Sequence, residues 1–320
     1  MNLDIITVGS VGFDIFISGK SIKPSLMSKD DSITLQSGAQ YQVDHSVYEA
    51  GGPGLNSAIC FARQGIKTGC IARTGKDHLA NQIKIILKHE GIEHELLINN
   101  PEHHTDLNIH IVTERAQDID LSYKNSVNSL RGHDVRFPGL TARALYLAEL
   151  PVDFKLFKFF VEWAKSCGAS LIANVTSTSG YKTKQMNYAL SRLTSMMMPI
   201  DFASSFFDGV SDSAEIIRQL SALGSKSVLL YDVSKESYAF HDQTMYSCGT
   251  YKKVNPLDMT GANDIFAASY ASAIFQQKTV PEALTFASAN ACSVLEVFGT
   301  RAGVLRKPAL RTIKVETGVL

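Results

Sequence analysis

The sequence predicts an α/β fold with a mainly parallel central sheet, and three observations lead there. From Ala144 onward, short apolar runs alternate with amphipathic stretches of helical length. That is the pattern of successive βαβ units, which place helices on both faces of a parallel sheet. Near the N-terminus, Ile5-Ile6-Thr7-Val8-Gly9 is an apolar run ending in glycine, as a strand buried on both faces reads. The chain has 320 residues, of which 45% are hydrophobic and 19% charged, enough for one large core in a single domain spanning 1–320.

In chain order, Asp4 to Gly12 is the first strand and Asp14 follows it at once. Ligands of open α/β sheets bind at the carboxyl ends of strands, so Asp14 is a candidate for substrate hydroxyls as well as for a turn. Residues 16–50 make a poor helix and a poor parallel strand and belong outside the main sheet, with Ile33–Leu35 and Tyr41–Val43 as short strands. A second such piece covers about 105–125, where Asn108-Ile109-His110-Ile111-Val112 alternates polar and apolar. Gly51 and Gly52 let the backbone approach a ligand closely and open a helix over Leu55–Gln64. Asn56 in its first turn either caps the helix or bonds vicinal hydroxyls.

Thr68–Ala72 reads as a strand and Leu79–His89 as an amphipathic helix. Strands follow at Ala144–Leu147, Ser170–Asn174, Ile200–Ala203 and Val228–Tyr231. Helices are expected at Phe154–Ser166, Tyr188–Met198 and Ala214–Leu223. Met196-Met197-Met198 is expected as core filler. Ala283–Phe298 is a small-residue helix ended by Gly299, and Asn290 within it serves either packing or a nucleotide.

The stretch Asp258-Met259-Thr260-Gly261-Ala262-Asn263-Asp264 carries the most chemistry. It is a small-residue loop entering an apolar, Ala-rich helix. A helix start presents unpaired N–H groups and the positive end of the dipole, suited to an anion in transit. Asp264 there serves either as a helix cap or as a base for an attacking hydroxyl.

Composition excludes other classes. Lys+Arg and Asp+Glu both number 31, so no charge excess points to nucleic acid or an anionic membrane. The 5 Cys are scattered without a CxxC pair, as free thiols in a reducing compartment are. The N-terminus lacks the features of a signal peptide, and no apolar run is long enough to span a bilayer. The expectation is a cytoplasmic protein with no membrane partner. The adjacent His103 and His104 are not expected to bind metal.

Asp258-Met259-Thr260-Gly261-Ala262-Asn263-Asp264-Ile265-Phe266 resembles the D-T-x-G-A-G-D-x-F signature of the ribokinase/PfkB family of sugar and nucleoside kinases. Gly51-Gly52-Pro53-Gly54-Leu55-Asn56-Ser57-Ala58, running on to Arg63-Gln64-Gly65, resembles its second signature, G-G-x-x-x-N-x-A-x-x-x-A-R-L-G. The two stand in the family's order, and the resemblance covers essentially the whole chain. It implies a ribokinase-like three-layer α/β/α sandwich with a small β-lid formed by residues 16–50 and 105–125. It also implies transfer of the γ-phosphoryl of Mg-ATP to a hydroxyl of a small sugar or nucleoside. Asp264 becomes the general base, and Gly261, Ala262 and Asn263 the anion hole. Asp14, Gly51, Gly52 and Asn56 hold the acceptor. Thr260, Asp232 and Asn290 lie on the nucleotide side. Asp258 and Asp208 are placed near metal, Mg²⁺ or a monovalent cation such as K⁺. A homodimer through the lid is the expected assembly.

The sequence departs from the family pattern in three places. Asn263 stands for the second Gly of the signature. The N-x-x-E element expected after the Ile200 strand reads Ser204-Ser205-Phe206-Phe207-Asp208. The T-x-G-x-x-G loop expected after Val228-Leu229-Leu230 reads Tyr231-Asp232-Val233-Ser234-Lys235-Glu236-Ser237, without glycine. The acceptor side is thus better matched than the nucleotide side. The alternative expectation is a degenerate relative that binds a sugar or nucleoside without turnover.

Overall fold

The computed structural model describes residues 1–20, 22, 35–112, 118–124, 130–132, 134–135, 138–207, 209–250, 254, 256–306 and 315–319. The first half contains β1 (Asn2–Val8), β2 (Gly12–Ser18), β3 (His45–Gly51), α1 (Pro53–Arg63), β4 (Thr68–Gly75), α2 (His78–His89), β5 (Leu97–Asn100), β6 (Asp106–Val112), β7 (Asp118–Tyr123) and β8 (Thr141–Leu147). The second half begins with α3 (Phe154–Cys167), β9 (Ser170–Asn174), α4 (Thr183–Arg192), β10 (Ser195–Pro199), α5 (Ile200–Phe206), α6 (Ser213–Ala222) and β11 (Ser227–Tyr231). It ends with β12 (Ser237–His241), β13 (Thr244–Cys248), α7 (Ala262–Phe275), α8 (Val280–Leu295), α9 (Thr300–Gly303) and β14 (Val315–Val319).

Ten strands form one sheet in the order β14-β13-β12-β11-β10-β9-β8-β1-β4-β5. From β11 to β5 all pairs are parallel, and β12, β13 and β14 extend it antiparallel. The parallel strands are buried on both faces, and their side chains alternate between two cores. Ile5, Met197 and Leu229 join Leu55 of α1, Ile83 of α2, Phe266 of α7 and Leu284 of α8 on one face. Ile6, Met196, Met198, Val228 and Leu230 join Leu156 of α3, Met186 of α4, Ala203 of α5 and Ile216 of α6 on the other. The result is a three-layer α/β/α sandwich. A second sheet of four strands, β3-β2-β6-β7, stands apart from it.

Some boundaries differ from the sequence reading. Tyr188–Met198 is not one helix, because α4 ends at Arg192 and the three methionines, all fully buried, lie on β10. Met is a good helix former, but the slot between β9 and β11 decides the outcome. Pro199 then caps α5, so Ile200–Ala203 is helix rather than strand. Tyr41–Val43 forms no strand, and of Ile33–Leu35 only Leu35 lies within the described residues, outside any strand. The second sheet instead begins at Gly12, so Asp14 lies on a strand and not in a loop. Helix α8 starts earlier than expected, at a capping box in which Thr279 and Glu282 bond each other's backbone N–H. It ends at Leu295, and Gly299 caps α9 instead. No described helix is long and apolar enough to cross a membrane.

Candidate active site

The site lies where the second sheet meets the carboxyl ends of the central strands and the start of α7. Gly261, the N-cap of α7, has φ 72°, and a Cβ there would collide with the Thr300 side chain. Only glycine serves at this position. No side chain caps the helix, and the N–H groups of Asn263 and Asp264 have no partner among the described residues. Asn263 lies inside the helix without a positive φ, so its replacement of glycine costs no backbone strain. Its side chain is exposed, as Ala262 is buried.

Asp264 is half-buried on the first turn. Its Oδ2 accepts a hydrogen bond of 3.0 Å from Asn56 Nδ2. Burial pushes its carboxyl up to about 7, against the pull of that bond, and the charges of Glu149 and Asp14 add to the rise. Asn56 is thus not a helix cap. It is a buried donor whose own Oδ1 has no protein partner among the described residues. Gly52 is the N-cap of α1. Gly51 ends β3, and a Cβ on it would collide with Asp14 Oδ2 and come within 3.9 Å of Asn56 Oδ1. The glycine therefore marks a small space faced by both oxygens. Asp14 is buried on β2, with Asn108 Nδ2 donating to its Oδ1 at 2.7 Å.

Asp258 organises the loop before α7. Its Oδ1 accepts from Thr260 N at 2.8 Å and its Oδ2 from Gly299 N at 2.9 Å. The Thr260 carbonyl accepts from Thr300 Oγ1 at 3.1 Å. Arg63, at the far end of α1, donates at 2.7 Å to the carbonyls of both Arg301 and Val304 and pairs with Glu90 at 2.6 Å. Helix α1 is therefore fixed at both ends, one in the site and one on the segment around α9.

Asp232 and Asn290 make other contacts. Asp232 holds the turn after β11, accepting from Ser234 N at 2.8 Å and from Ser234 Oγ at 2.6 Å. Asn290 is fully buried, donates to Ser269 Oγ at 2.7 Å and accepts from Leu305 N at 2.8 Å. Its amide is thus engaged in packing between α7, α8 and the segment after α9. Asp208 lies outside the described residues. With β10 ending at Pro199, the next four residues, Ile200-Asp201-Phe202-Ala203, contain neither Asn nor Glu.

Sequence reasoning missed Glu149, whose Oε1 accepts from Ser10 N at 2.7 Å. It lies just past the carboxyl end of β8, and the rule that drew notice to Asp14 applies equally there. It also missed Asn108 and His110, although the alternating stretch that holds them was placed outside the main sheet, as β6 is. Tyr231 was passed over as well. It donates to Asn174 Oδ1 at 2.9 Å, stacks on Phe266 at 5.6 Å and lies within reach of the Asp264 charge.

Comparisons with known proteins agree with the fold. A ribokinase of Bacillus subtilis is 25% identical over 268 residues, covering 79% of this chain and 84% of that protein. A ribokinase structure from Thermotoga maritima superposes with a TM-score of 0.76 at 18% identity, over 95% of this chain and 96% of that one. The Arabidopsis thaliana ribokinase complexed with ribose and ATP gives 0.75 at 19%, over 95% and 96%. The Cryptococcus neoformans ribokinase in complex with ADP gives 0.71 at 16%, over 94% and 96%. These superpositions share the whole layered architecture, and the model of the pfkB family carbohydrate kinases matches residues 22–307. With both signature segments meeting at Asp264 and Asn56, this chain belongs to the pfkB family of carbohydrate kinases.

Proposed function

We propose that the protein transfers the γ-phosphoryl group of ATP to a hydroxyl of a small, uncharged sugar or nucleoside. One observation carries the reading: a carboxylate with a raised pKa on the first turn of α7, 3.0 Å from an asparagine of the other signature segment. Such a transfer asks the protein for placement, charge stabilisation and a base. Asp264, ionising near neutral pH, takes the proton of the attacking hydroxyl. The unpartnered N–H groups of Asn263 and Asp264 face charge on the transferring group. Asp14 Oδ2 and Asn56 Oδ1 accept from acceptor hydroxyls across Gly51.

The donor set does not build a metal cage, since no cluster of three or more His, Cys, Asp or Glu occurs among the described residues. Both Asp258 oxygens are taken by backbone N–H groups. Mg²⁺ carried on the ATP phosphates needs no such cage and would neutralise phosphate charge. A K⁺ dependence belongs to the same reading only through the loop that Asp258 holds. Arg73, a cation on β4, is paired with Asp134 at 2.9 Å, which supports an uncharged acceptor.

The second sheet acts as a lid that excludes water. Its edge strands β3 and β7 expose Tyr48, Leu121 and Tyr123, and an apolar sheet edge supports pairing with a second copy. The test is an ADP-release screen with D-ribose, D-fructose and adenosine, on the wild type and Asp264→Asn. Acceptor-dependent ADP release lost in the variant supports the proposal. Folded wild type that neither binds Mg-ATP at millimolar concentration nor releases ADP overturns it.

A further inference from the structure

One file of polar groups crosses the second sheet and ends outside the chemistry just described. His110 lies on β6, directly opposite Phe16 of β2 and Asp120 of β7. Its Nδ1 is 2.7 Å from Asp120 Oδ1 and its Nε2 is 3.3 Å from Asp14 Oδ1. Its ring stacks on Phe16, with centroids 4.5 Å apart and planes 14° apart. Burial works against an imidazolium here, but the hydrogen bonds and charges of Asp14 and Asp120 outweigh it and push the pKa up to about 9. Both ring N–H groups then donate to carboxylates.

A buried cationic histidine beside an acceptor pocket suggests a receptor for a phosphorylated substrate. The geometry argues otherwise. Both donors already face carboxylates, and one positive charge sits between two negative ones. From the third strand, β3, Glu49 faces Asp14 as well and is itself held by Arg301 at 3.3 Å. What the histidine does is fix a carboxylate. Asp14 Oδ1 receives two bonds, from His110 and from Asn108, and this leaves Oδ2 turned towards Gly51 and Asn56 Oδ1.

We propose that His110, clamped between Asp14 and Asp120, is the positioning residue of the acceptor pocket. It holds Asp14 where Oδ2 receives hydroxyl hydrogens, and so makes the pocket select an uncharged polyol over a phosphorylated one. The positioning stands on these contacts alone, and only its consequence for selectivity rests on the kinase reading. The clamp also reaches Asp120, which is largely exposed on the edge strand β7. The state of that edge is thereby linked to the acceptor carboxylate.

The test uses the full chain with His110→Phe, which keeps a ring on Phe16 and removes both hydrogen bonds, and with Asp120→Asn. Histidine ¹⁵N NMR should show both ring nitrogens of His110 protonated at about pH 7, with a lower titration midpoint in Asp120→Asn. A neutral His110 at that pH overturns the clamp. A crystal structure of ligand-free His110→Phe should show Asp14 turned from Gly51 or in several rotamers. An unmoved Asp14 overturns the positioning.

Whichever of D-ribose, D-fructose or adenosine supports ADP release should show KM raised roughly ten- to a hundredfold in His110→Phe, with kcat changed much less. The variant's preference against the matching phosphorylated compound should shrink. An unchanged KM in folded variant also overturns the proposal. If none of the three supports ADP release, the kinase reading fails, and the spectra and the crystal structure still decide the positioning.

Discussion

Around Asp14, strands β2, β3 and β6 and helix α1 converge buried polar groups, and Asn56 Oδ1, Asn108 Oδ1 and Glu49 Oε2 have no partner among the described residues. Around Asp232, by contrast, the carboxylate is used up by the two donors of Ser234 and by Lys235 at 3.5 Å. The proposed acceptor side thus keeps buried hydrogen-bonding capacity in reserve, and the proposed nucleotide side closes on itself. Buried unpartnered groups are costly, so on the proposed reading an acceptor that completes these three is favoured here. A turn stapled by an Asp to its own backbone needs no glycine, which accounts for how Tyr231–Ser237 dispenses with the family's loop. On the proposed reading, nucleotide affinity then rests more on the start of α7 than on the β11 turn.

The largest expected effect is at the junction of the two sides. Asp264→Asn should lower kcat by about 10²–10⁴-fold, measured by ADP release. In the wild type, kcat should rise with pH through about 7, as the carboxyl ionises. Its raised pKa means that folding favours the protonated form. The stability this gives is fully present below the unfolded pKa and is lost as pH rises through about 7. Asp264→Asn should therefore melt higher than the wild type at alkaline pH, by roughly 1–3 kcal/mol, and show no such gain in acid. A variant with full activity would dissolve the distinction between the two sides.

Gly51→Ala comes next. Its methyl collides with Asp14 Oδ2, so the acceptor KM should rise roughly ten- to a hundredfold with the KM for ATP nearly unchanged. Equal effects on both substrates would show that the halves are not separable. Asn290→Ala strips partners from Ser269 and from Leu305 N. It should cost about 1–3 kcal/mol in urea unfolding and leave the KM for ATP unaltered. A selective rise in that KM would return Asn290 to the nucleotide side. The smallest effect belongs to Asp232→Ala, about 1 kcal/mol of stability from a lost turn staple, again with little change in nucleotide binding.

The two signature segments made the candidates Asn56 and Asp264 legible, because both lie in short runs whose glycines have a local steric reason. The strands at Ala144–Leu147, Ser170–Asn174 and Val228–Tyr231 were legible for a similarly local cause, short apolar runs that match burial on both faces. What escaped notice depended on distant neighbours. Met196–Met198 has helical propensity and becomes a strand only because β9 and β11 flank it. Asn290 and Asn56 look alike in sequence, two asparagines on small-residue helices. One bonds Ser269 inside the core and the other reaches Asp264, and only the packing of α1, α7 and α8 separates them. His110 needed two further strands, β2 and β7, before its role could be seen.

Arg63 grips the carbonyls of Arg301 and Val304 from the end of the helix whose beginning carries Asn56. Order of synthesis gives this grip a further meaning. On the proposed reading, the acceptor residues Asp14, Gly51, Gly52 and Asn56 precede in the chain the Arg301–Val304 segment that braces the far end of their helix. A nascent chain stopped before Arg301 has its recognition groups but not the brace that aligns them. Such long-range closure delays folding relative to local contacts. On the proposed reading, that brace closes only after α7 with Asp264, which precedes Arg301 in the chain, has been made.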